Sequence, residues 1–159
     1  MFTVTVLSVM KVIEAKGLDY SIIGTEVFQV SVGKKLYTIM ACYLPILYLE
    51  ATIPYTRFEE QDLNVIWEAV NSVNLHWNRV KIALDEDGIT FRVAEKVLSV
   101  DDIGGFIDTC PQEIEKVHEE LFLACKVLQK GEQSDLESLY SKMMDPDDET
   151  YKKRRALLS

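Results

Sequence analysis

Two histidines, three cysteines and several runs of carboxylates are the residues from which this chain could build chemistry. A zinc site needs three or four His, Cys or carboxylate ligands converging on one point. His76 and His118 fall at the end of one predicted helix and within another, with no short-spaced partner set, so no metal ligand is expected. A calcium loop wants oxygen ligands at its first, third and fifth positions, glycine at the sixth and glutamate at the twelfth. A loop opened at Asp85 meets Ile89 at the fifth position, and one opened at Asp145 meets Thr150 at the sixth and Ala156 at the twelfth. Neither run fits. The cysteines stand at 42, 110 and 125, with no CxxC pair. On one helix, at about 1.5 Å rise per residue, Cys110 and Cys125 are roughly 22 Å apart, against the ~6 Å Cα separation of a disulfide. All three, Cys42 included, are expected to be buried thiols in a reducing compartment.

Nucleotide and nucleophilic chemistry fare no better. Gly88 and the Gly104–Gly105 pair belong to neither GxGxxG nor GxxxxGK[ST], and there is no GxSxG elbow. Cys110 lies on a predicted apolar helix face, where a thiolate is disfavoured. The adjacent carboxylates Glu59–Glu60, Asp101–Asp102 and Glu119–Glu120 point about 100° apart on a helix and suit solvated faces or helix N-termini. No catalytic residue, cofactor or metal is therefore expected.

The chain has 159 residues, 48% apolar and 27% charged, with a formal net charge of −9. That length suffices for one domain with a core of its own. The charge is uneven: residues 1–100 carry 12 acidic and 9 basic groups, residues 101–150 carry 14 and 4, and the run Lys152, Lys153, Arg154, Arg155 adds four positive charges. So acidic a C-terminal half repels a phosphate backbone, whose binding depends on Lys and Arg displacing counterions. Nucleic acid is not an expected partner. The opening MFTVTVLSVMKVI has no preceding basic cluster, is broken by Lys11 and is too short to span a bilayer. No membrane segment and a cytoplasmic location are the expectations.

The periodicities predict the elements that would position any site. Val6, Met10 and Ile13 fall at helical spacing between Thr3 and Lys16, and Gly17 supplies a stop. Alternation predicts strands over Glu26–Val32, Leu36–Tyr43 and Ile46–Ile53, the last ended by Pro54. In that third strand Leu47, Leu49, Ala51 and Ile53 share one face, and Ile46, Tyr48, Glu50 and Thr52 the other. Leu63, Ile66, Trp67, Val70 and Val73 form the stripe of a helix over Glu59–Asn74 that must cover a sheet. Val80, Ile82 and Leu84, then Ile89, Phe91 and Val93, alternate around Asp85–Gly88 as a hairpin. Asp101 or Asp102 caps a long amphipathic helix reaching Gly131, kinked or restarted at Pro111. Leu136, Leu139, Tyr140 and Met143 predict a further short helix, and Asp145–Glu149 a loose acidic linker.

Helix, three strands, helix, two strands, helix is the order α-β-β-β-α-β-β-α, an α+β class with a mainly antiparallel sheet packed on helices. It resembles the type III secretion chaperone-like fold. Within it Trp67–Leu98, WEAVNSVNLHWNRVKIALDEDGITFRVAEKVL, resembles the YbjN-domain family of bacterial sensory transduction regulators. The matching features are an amphipathic helix ending in Asn71 and Asn74, the strand Val80-Lys81-Ile82, a short polar hairpin and an apolar return strand. The resemblance covers roughly residues 3–130 and divides the chain into a domain over 1–130 and an extension over 131–159. It implies a regulatory or chaperone-like binding role and carries over no catalytic residue. From the residues themselves, Asn71 and Asn74 read as helix-end residues whose amides cap backbone groups.

With helices on one side of the sheet, the other side would present Tyr37, Ile46 and Tyr48 to a partner. The expected function is a non-enzymatic protein-binding module, homodimeric, taking an apolar sheet face or strand edge to another polypeptide, with acidic residues at the rim. The alternative is a small-molecule sensor or enzyme with a pocket between the sheet and the long helix.

Overall fold

In a computed structural model, the structure describes residues 3–55, 63–76 and 79–129. The expected extension over 131–159 lies outside the described residues. Helix α1 (Val6–Ala15) starts where Thr5 and Ser8 cap one another: Ser8 N donates to Thr5 Oγ1 at 3.2 Å and Thr5 N to Ser8 Oγ at 3.1 Å. The β-branched run Thr3, Val4 and Thr5 is compatible with this helix because it ends at the extended cap, before the first turn.

Six strands follow: β1 (Tyr20–Gly24), β2 (Val27–Val32), β3 (Lys35–Tyr43), β4 (Ile46–Ile53), then β5 (Val80–Leu84) and β6 (Ile89–Lys96). They form one sheet in the order β1-β2-β3-β4-β6-β5, with every neighbouring pair antiparallel. Helix α2 (Leu63–His76) precedes the β5–β6 hairpin and α3 (Val100–Gln129) follows it. The α+β, antiparallel architecture is the one the sequence predicts, with one strand more. Strand β1 escaped the pattern because most of it is exposed and it therefore shows no alternation.

The helices cover one face. Phe28, Val30, Ile39, Leu47, Leu49, Ile89, Phe91, Val93, Val80 and Ile82 point inward against Ile66, Val70 and Val73 of α2 and Ile103, Phe106, Ile107, Val117 and Leu121 of α3. The predicted stripe of α2 is rotated: Ile66, Ala69, Val70 and Val73 are buried, while Leu63 and Trp67, 57% exposed, lie on its flank. Small Ala69 belongs to the inward row, and the large Trp67 ring is left outside the contact.

Helix α3 runs unbroken through Pro111. Ser99, two residues before the expected Asp101–Asp102 pair, caps it: Asp102 N donates to Ser99 Oγ at 3.1 Å, and Asp102 Oδ2 accepts from Leu98 N at 2.8 Å. No described helix is long and apolar enough to cross a membrane.

Candidate functional site

Because side chains alternate across a strand, the register of the sheet fixes which residues share its uncovered face. One row across it runs Gln29, Thr38, Glu50, Arg92, Lys81, each opposite the next. The adjacent row runs Val27, Met40, Tyr48, Ala94, and Lys96 lies opposite Ile46 beyond it. Tyr48 is the centre of this surface. The Tyr43 ring meets it edge-on with centroids 6.0 Å apart, and the Arg92 guanidinium lies 5.6 Å from its centroid. Arg92 is also ion-paired with Glu50. The residue directly opposite Tyr48 is the small Ala94. An aromatic plane held between a cation and a second ring offers apolar area with little rotamer freedom to lose on binding.

Of the three residues expected on this face, Ile46 and Tyr48 are there and Tyr37 is not. Tyr37 is opposite Val30 and 4% exposed, on the helix-covered side. The reason is register: the hairpin turn Gly33–Lys34 makes Val32 and Lys35 opposite partners, so Leu36 and Thr38 take the open face and Tyr37 the core. Its hydroxyl donates to Glu115 Oε1 of α3 at 3.4 Å, and burial, then the Glu115 charge, push its pKa up to about 12. The expected acidic rim is also reversed on β5 and β6. Lys81, Arg92 and Lys96 share the open face with Glu50, a local positive balance on a chain of net charge −9. Arg92, Lys81 and Met40 were missed as members of the site, although the Val80–Val93 alternation already turns Lys81 and Arg92 outward.

The fold is similar to that of the crystal structure of YbjN from E. coli, a suggested transcription regulator. The two share 10% sequence identity at a TM-score of 0.48, over 80% of this chain and 97% of that one. No family model and no curated protein sequence matches the chain. What the open face can bind therefore rests on its own residues.

The other chemistry-bearing groups are held in contacts within the fold. Asn74 does not cap its helix: Nδ2 donates to Ile82 O at 2.9 Å and Oδ1 accepts from Ile82 N at 3.0 Å, a two-point match to the backbone of β5. Asn71 is exposed. Arg79 ties the start of β5 to α3 and β6, with Nε 2.9 Å from Glu113 Oε2 and Nη2 3.1 Å from Glu95 Oε2. The same Nη2 is 3.5 Å from Cys110 Sγ. Burial nevertheless pushes the Cys110 thiol up to about 11, outweighing the guanidinium, so it is a poor nucleophile. His118 rests edge-on against Phe91, ring centroids 5.7 Å apart. Among the described residues, no group of three or more His, Cys, Asp and Glu side chains could hold a metal ion.

Proposed function

We propose that the chain is a non-enzymatic protein-binding module whose partner is an extended, acidic polypeptide segment laid across the open face at Tyr48. The observation that carries this reading is the pairing of Tyr48 with Arg92 on a sheet face that Lys81 and Lys96 make locally basic. Such a face gives an aromatic anchor at the centre and charge complementarity around it. In the same reading the chain self-associates through the β1 edge.

A labelled peptide of alternating Glu and Val is the probe. By fluorescence anisotropy, Tyr48→Ala or Arg92→Glu weakens its binding about tenfold, equivalent to about 1.4 kcal/mol, while Gln29→Ala at the far end of the same row leaves it unchanged. Binding that ignores Tyr48→Ala, or a single-stranded oligonucleotide that outcompetes the peptide, overturns the reading.

A further inference from the structure

The central pair of strands parts at one end, and the opening is a second candidate site. Strand β3 stays paired with β2 down to Lys35, and β4 stays paired with β6 out to Ile53, but the pairing of β3 with β4 ends at Thr38 and Glu50. Each strand follows its outer neighbour. On the β4 side the hold is tight: a Cβ at Gly88 would lie 2.2 Å from Ile53 O, so only glycine lets the β5–β6 loop close on β4, and Tyr55 Oη donates to Asp85 O at 2.7 Å. In a two-residue hairpin the closing pair, Val32 with Lys35, exchanges its main-chain hydrogen bonds. By alternation the N–H and C=O of Leu36 and Thr38 then point toward β4. Thr38 meets Glu50; Leu36 and its would-be partner Thr52 do not form a ladder pair across the gap.

A cavity of about 290 Å³ occupies this opening beneath α3. Ala51, Ile53 and Ile114 supply its apolar lining, and the Tyr37 hydroxyl, Lys35, Glu115 and His118 its polar one. Lys35 is ion-paired with Glu115, whereas Lys34 at the mouth has no ion pair among the described residues. A cation with no ion pair among the described residues, the unpaired main-chain stretch at Leu36 and Thr52 and an apolar floor border a space at the small end of ligand pockets, which begin at about 300 Å³.

The geometry points to a binding site for a small monocarboxylate with an apolar body, its carboxylate at Lys34 and the Leu36–Thr52 opening, its body on Ala51, Ile53 and Ile114. This site is independent of the open-face reading, since peptide binding at Tyr48 uses neither Lys34 nor Ala51. The test is a ¹H–¹⁵N NMR titration of the full chain with phenylacetate, with phenylacetamide as the uncharged control. Phenylacetate gives saturable shifts confined to amides in 34–37, 51–53 and 114–118, and the amide binds about tenfold more weakly. Lys34→Glu, an exposed change that leaves the core untouched, weakens phenylacetate about tenfold. Ala51→Leu, which fills the floor, abolishes the shifts in a chain whose remaining spectrum is unaltered. Shifts that do not saturate, equal binding of acid and amide, or indifference to Lys34→Glu overturn the assignment, and the last two decide the matter even where Ala51→Leu does not fold.

Discussion

At the scale of single residues, the fold protects two of the three thiols and leaves the third open to solvent. Cys110 and Cys125 are buried and Cys42 is exposed. Burial raises both buried thiols from an ordinary 9.0 to about 11. The sign follows from proton counting: below pH 9 folded and unfolded chains both keep these protons, and between 9 and 11 only the folded chain does. Stability is thus fully present below pH 9 and is lost as pH rises toward 11. Tyr37, raised from 10.0 to about 12, extends the loss in the same direction. Urea midpoints should therefore stay level near neutrality and fall above pH 9, and a thiol reagent at neutral pH should modify Cys42 at once and the other two only as the chain unfolds. Equal reactivity of all three thiols in the native state would contradict the burial on which the sign depends. The expected burial of Cys42 was wrong, because it lies on the outward-facing row near the end of β3. The environments of Cys110 and Cys125 were legible from helical periodicity alone, since both lie on the inward stripe of α3. The Tyr37 face was not, because one residue of register in the β2–β3 turn moves a side chain from solvent to core, and the strand sequence Lys35–Tyr43 is apolar on both faces.

At the scale of elements, what positions the sheet is an interaction that no single element reveals. Asn71 and Asn74 stand out in sequence as a spaced pair near a helix end, and the local reading is a cap. The structure instead uses Asn74 as a surrogate strand, matching donor and acceptor to both main-chain groups of Ile82 and fastening α2 to the outer edge of β5. Sequence spacing within α2 could not show this, because the partner arrives from another element. Asn74→Ala removes both bonds and leaves the N–H and C=O of buried Ile82 without them, at an expected cost of about 1–3 kcal/mol. Asn71→Ala, three residues away and exposed, should change stability by less than about 0.5 kcal/mol. Equilibrium denaturation of the two variants separates the roles, and equal losses would restore the capping account. The inward faces of β2, β4 and the β5–β6 hairpin needed no such partner and were readable from alternation, whereas Trp67 misled because apolar type was weighed without the volume that a helix-on-sheet contact admits.

At the scale of the whole molecule, the sheet has two edges with opposite treatment. The β5 edge is occupied by Asn74 and backed by α2. The β1 edge carries no charge over Tyr20–Gly24, and exposes Ile22 at 62% and Ile23 at 54%. Ser31 N donates to Asp19 O at 2.9 Å, which by alternation turns the N–H and C=O of Tyr20 and Ile22 away from β2, where no described strand pairs with them. An unprotected, apolar edge of this kind is a template for another strand. A second copy suits it: an antiparallel pair centred on Ile22 sets Ser21 against Ile23 and Tyr20 against Gly24, with no like charges facing across the seam. The expected outcome is a dimer by light scattering on the purified chain. Ile22→Lys places a charge in the seam and should convert it to monomer, with the far-UV spectrum and the Tyr48-dependent peptide binding both retained. A monomeric parent chain, or a dimer indifferent to Ile22→Lys, removes the β1 edge as the seam and leaves the open face to act alone.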